Sequence, residues 1–80
     1  MTSDEERMSV QVGVCRFRPG GIDARLARAL RDRVYGSLQA GPAAEISEGE
    51  ARMLRVLVHR YRRQLDAATI ALAGPPRAGA

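Results

Sequence analysis

Apolar positions divide the chain into three patterned segments. From Ser9 to Arg18 (SVQVGVCRFR) they alternate, with Val10, Val12 and Val14 on one side and Ser9, Gln11, Gly13 and Cys15 on the other. A period of two predicts a half-buried strand, closed by Pro19-Gly20-Gly21. Ile22 to about Gln39 changes to helical spacing: Ile22, Leu26, Leu30, Val34 and Leu38 form an i, i+4 ladder, with Arg25, Arg28, Asp32 and Tyr35 opposite. Arg33 intrudes on the apolar side, and Gly36 weakens the last turn by roughly 1 kcal/mol relative to Ala. Ala40-Gly41-Pro42 ends this helix. The third segment carries Leu54, Leu57, Val58, Tyr61 and Leu65 on one arc, continued by Ala68 and Leu72. Ser47 and Glu50 have the spacing of a capping box, so a second helix is expected from Ser47 to residue 72. Glu45, Glu48 and Glu50 suit the positive end of its dipole.

These elements predict a mainly α chain: a short N-terminal β-strand, then an antiparallel two-helix hairpin, completed by dimerisation. Residues 9–72 form the single small domain, with a disordered leader at 1–8 and a loose tail at 73–80. No second strand is predicted, so Val10, Val12 and Val14 need a partner's edge, and a homodimer is the simplest source of one. Helix lengths point the same way. The second would run roughly 39 Å and the first roughly 27 Å, leaving Leu65 to Leu72 overhanging.

Size and composition limit the functions available. Eighty residues with one Phe, two Tyr and no Trp make a marginal core. With Cys15 as the only cysteine, no intrachain disulfide can staple it. An unpaired thiol, an acidic N-terminus unlike a secretory signal and the lack of a membrane-length apolar run suit a soluble cytoplasmic protein. Catalysis has little to work with. Cys15 and His59 are the one possible thiol–imidazole pair and share no local motif. One His and one Cys fall short of a zinc site, and Gly20-Gly21 lacks phosphate-loop spacing. A non-enzymatic protein without metal or cofactor is expected.

Charge is the more informative property. The net charge is +4, and every basic residue other than His59 is arginine. RMLRVLVHRYRR, residues 52–63, holds five arginines, one histidine and no acid. On a helix, Arg52, Arg55, His59, Arg60, Arg62 and Arg63 fall opposite the apolar arc. Exposed helices usually mix signs for i, i+4 pairing, so a face without acids suits an anionic partner. Nucleic acid, DNA or RNA, is expected, with Arg52, Arg55, Arg62 and Arg63 on phosphates and Arg60 and His59 at the margin. The competing expectation is a protein-interaction module: an adaptor, an inhibitor, or a minor subunit of a phage or mobile-element assembly. The same arginines would then meet an acidic surface, and the strand could join that partner's sheet. A membrane partner is disfavoured because Leu54, Val58 and Tyr61 are needed for the core.

Cys15-Arg16-Phe17-Arg18-Pro19 leading into Ile22 and Leu26, with Ile46-Ser47 before the second helix, resembles the ribbon–helix–helix DNA-binding proteins. That resemblance implies paired strands in the major groove, with Gln11, Gly13 and Cys15 as readers and the second helix N-terminus on a phosphate. The chain departs from the pattern in its longer inter-helix connection, its weak readers and the glutamates at that helix end.

Overall fold

In a computed structural model, which describes residues 1–41 and 43–74, the chain forms helices α1 (Ser3–Gly13), α2 (Ile22–Ala40), α3 (Glu48–Arg60) and α4 (Ala67–Leu72), with a 3-10 turn at Arg62–Gln64 between the last two. No strand occurs among the described residues. The expected N-terminal strand is a helix, and the expected leader supplies its first turns.

Thr2 explains the helical start. Its side chain accepts from the Glu5 amide at 3.2 Å, and the Glu5 carboxylate accepts from the Thr2 amide at 2.7 Å, a complete capping box. Asp4, Glu5 and Glu6 occupy the first turn, where the helix dipole favours acids. The inward positions are Glu5, Met8, Ser9, Val12 and Gly13, spaced i, i+3, i+4, i+7, i+8. Two of these are polar, so hydrophobicity alone hides the helical period, while the three valines imitate a strand. They do not share a face: Val12 is fully buried, Val10 half-buried and Val14 65% exposed. With the strand goes the ribbon on which the ribbon–helix–helix resemblance rested, and also the unpaired edge that called for a homodimer.

α1 is the centre of the fold and packs against α2, α3 and α4. Its Met8 and Val12 meet Ala27 and Leu30 of α2, Leu54, Leu57 and Val58 of α3, and Ala73 after α4 in one buried cluster. The α2 ladder is buried only in its middle. Leu30 and Val34 are inside, whereas Ile22 and Leu38 are 81% and 72% exposed. An i, i+4 row drifts around a helix by about 40° per step, so its ends swing off the buried face. Ala24 and Ala27 replace them there and let the backbones approach closely.

The second predicted helix begins as expected, with Ser47 and Glu50 forming a capping box. Arg33 answers this box. Its guanidinium reaches both Glu50 oxygens, at 2.8 and 2.7 Å, tying α2 to the start of α3. The single helix to residue 72 is broken, however. α3 ends at Arg60, and Asp66 caps a new helix by accepting from the Thr69 amide at 3.1 Å. A continued helix would carry Ile70, Leu72 and Ala73 away from the core; the break brings all three back against it. Of the expected tail, residues 75–80 lie outside the described residues.

Candidate functional site

The break after α3 places the arginines. Residues 62–64 turn back onto the segment joining α1 to α2, where Gln64 clamps the Arg16 backbone. The Arg16 amide donates to Gln64 Oε1 at 2.7 Å, and Gln64 Nε2 donates to the Arg16 carbonyl at 3.0 Å. One residue along, the Phe17 and Tyr61 rings meet edge to face, with centroids 4.7 Å apart and planes at 72°. The Tyr61 hydroxyl donates to Asp23 Oδ2 at 2.8 Å, and Arg60 Nη1 donates to both Asp23 oxygens at 2.9 and 2.8 Å. The Arg60 and Tyr61 hydrogen bonds hold the Asp23 carboxyl below its ordinary range, and the same Asp23 contact raises the Tyr61 phenol.

One corner of the molecule thus gathers Arg16 and Arg18 from the α1–α2 segment with Arg60, Arg62 and Arg63 from the end of α3. Asp23 is the carboxylate there, and Arg60 occupies it. Arg16, Arg18, Arg62 and Arg63 are exposed and have no carboxylate within ion-pairing distance among the described residues. The opposite end differs in sign. Met1 lies against Ala44 through its terminal amine, so Asp4 and Glu6 in the first turn of α1 share that end with Glu45 and Glu48. None of these four acids is ion-paired within the described residues. The unpaired side chains at the two ends thus differ in sign, arginines at one and carboxylates at the other.

The residues expected to form one arginine face divide into groups. Arg52 is exposed on the outer side of α3, next to Met53 and Val56, which are 37% and 41% exposed, so that side is not purely cationic. Arg55 reaches towards α1 while staying partly exposed, 3.8 Å from Glu5 and bonded to the Ala51 carbonyl. His59 is half-buried rather than solvated, and its Nε2 is buried without a hydrogen-bond partner among the described residues. Arg60 is held by Asp23, and Arg62 bonds the His59 carbonyl at 3.1 Å. Arg63 is exposed. Helical periodicity could not show Arg16 and Arg18, because they lie in the segment read as a strand. The usable signal was the pair of polar caps, Thr2 and Asp66, that sets where each helix starts.

The thiol and imidazole form no pair. Cys15 Sγ points to the Gln11 carbonyl at 3.6 Å, and burial pushes its thiol up, away from the reactive thiolate. No group of three or more His, Cys, Asp or Glu able to hold a metal occurs among the described residues. No described helix is long and apolar enough to cross a membrane. A hollow of about 710 Å³ lies beside Arg33, Gly36, Ser37, Ala44, Glu45 and Glu50, where Arg33 and Glu50 pair with each other and Glu45 has no ion-pair partner among the described residues.

No known protein family, curated protein or solved structure matches this chain.

Proposed function

We propose that this is a small non-enzymatic protein that binds nucleic-acid phosphates through the arginine corner. Arg16, Arg18, Arg62 and Arg63 are the contacts, whereas Arg52 lies outside the corner, on the outer side of α3. The observation that carries the proposal is the Gln64–Arg16 clamp, which joins two arginine pairs far apart in sequence into one patch, none of the four ion-paired among the described residues. Unneutralised like charges repel, and phosphates relieve that repulsion while releasing condensed counterions. Planar guanidinium forks suit phosphate oxygens. The acids gathered at the far end orient the molecule in the field of a polyanion, so that the arginine corner approaches first. Contacts of this kind bind without reading sequence.

Titrating the protein into labelled random-sequence DNA and RNA at several salt concentrations tests this. Binding with a log–log salt slope of several units is expected; no binding even at low salt contradicts it.

A protein-interaction role is supported by a separate observation: Met53 and Val56 are exposed beside Arg52, a mixed apolar and cationic strip suited to an acidic, partly apolar partner. Self-association through exposed apolar residues such as Leu38 belongs to this second reading. Sedimentation equilibrium at several concentrations distinguishes a monomer from a dimer.

A further inference from the structure

Beside the arginine corner lies a hollow of about 430 Å³, walled by Phe17, Arg18, Gly21, Ile22, Asp23 and Tyr61. We propose that it receives one unpaired nucleobase, so that the preferred ligand is a single strand; this rests on the phosphate-binding reading above. The hollow is at the small end of the range for small-molecule sites. Phe17 and Tyr61 offer half-buried aromatic surface in it, and Ile22, 81% exposed, puts an aliphatic side chain in water at its rim. A flat, neutral ring covers these groups. A phosphate does not suit the interior, because the Asp23 carboxylate is there and would repel it. Asp23 also already fills the first turn of α2, where an anion would otherwise be drawn. Phosphates are instead directed to Arg18 at the rim and to Arg62 and Arg63 beyond Tyr61. This combination of a cationic track and an aromatic platform favours single strands. In a duplex the bases are stacked away, and reaching one requires flipping it out at a cost.

With a single Phe and two Tyr in the chain, ring-proton NMR reads the site directly. The probes are an oligothymidylate of about ten nucleotides, an abasic phosphodiester strand of the same length, and a duplex of the same length. Oligothymidylate is expected to bind about tenfold more tightly than either of the others, the worth of one stacked base. It should also shift the Phe17 and Tyr61 ring resonances while leaving Tyr35 unmoved. Phe17→Leu should remove that tenfold advantage and leave abasic-strand affinity unchanged. Because Phe17 also touches the core, Ile22→Ser at an exposed position is the second variant, expected to weaken oligothymidylate binding several-fold without altering the fold. Equal affinity for all three probes with unmoved Phe17 and Tyr61 resonances overturns the base pocket and leaves phosphate binding standing. Absence of binding to any probe at low salt overturns both.

Discussion

Gln64 grips the Arg16 main chain on both sides, accepting from its amide at 2.7 Å and donating to its carbonyl at 3.0 Å. A side chain that completes another segment's backbone pairing acts as one rung of a ladder, and it holds the α1–α2 segment against the turn after α3. Gln64→Ala should lower stability by about 1 kcal/mol, a fall of roughly 4–8 °C in Tm for a domain this small. Gln64→Glu keeps the acceptor but loses the donor and adds a carboxylate among the arginines. It should weaken nucleic-acid binding more than Gln64→Ala does. Thermal melts and binding titrations of the two variants check this order.

Gly13 and Gly36 should respond oppositely to alanine. A Cβ at Gly13 would stand 2.6 Å from Arg31 Cβ, at the close approach of α1 to α2, where the Arg31 guanidinium also bonds the Gly13 carbonyl at 3.0 Å. Overpacking of this kind costs about 1–3 kcal/mol. Gly36 sits on an exposed part of α2 with nothing within 4 Å of an added Cβ. Gly36→Ala should stabilise by about 0.5–1 kcal/mol. Urea midpoints of the two single variants give both signs in one experiment.

Asp23→Asn should separate stability from binding. The variant loses the carboxylate that Arg60 and Tyr61 share, so Tm should fall. It also frees Arg60 and removes the negative charge from the arginine corner. Affinity for a single strand should therefore rise, with the salt slope steepening by about 0.7 if Arg60 gains a phosphate. Affinity falling in step with Tm would mean that Asp23 matters only by organising the corner.

Acid should release the tie between α2 and α3. Hydrogen bonds from the Arg33 guanidinium, then from the Ser47 amide, lower the Glu50 carboxyl from 4.5 to about 2. A depressed carboxyl contributes stability above its unfolded value, and that contribution fades as pH falls from about 4.5 towards 2. The stability difference between wild type and Glu50→Gln should be steady at neutral pH and shrink across that window. The ion pair is partly exposed, so roughly 1 kcal/mol is expected at most from the pairing itself. Melts of both proteins between pH 7 and pH 2.5 measure the difference.

α2 and the start of α3 were legible in the sequence because aliphatic residues and a capping box mark them without ambiguity. The inward arc of Leu54, Leu57 and Val58 was legible for the same reason. α1 was not, because Glu5 and Ser9 occupy inward positions and are satisfied there by Thr2 and by the Glu5 carbonyl. Polar residues bonded locally leave no mark in a hydrophobic period. The break at Tyr61 was hidden by an apolar stripe that runs on through Leu65 and Leu72, although Asp66 and Thr69 signal a cap. As to the candidate site, Arg62 and Arg63 could be named from the arginine run. Arg16 and Arg18 could not, since they join the run only through a tertiary contact made by Gln64.

The most direct test compares two double variants that remove equal charge. Arg62→Ala with Arg63→Ala strips the corner, whereas Arg28→Ala with Arg52→Ala takes two exposed arginines from elsewhere. Affinity for a random-sequence single strand should fall at least tenfold in the first, with the salt slope reduced by about 1.4, and less than threefold in the second. Equal losses in the two would mean that net charge alone attracts the strand, and no binding by the wild type would mean that the arginine corner serves another partner; either result contradicts the account.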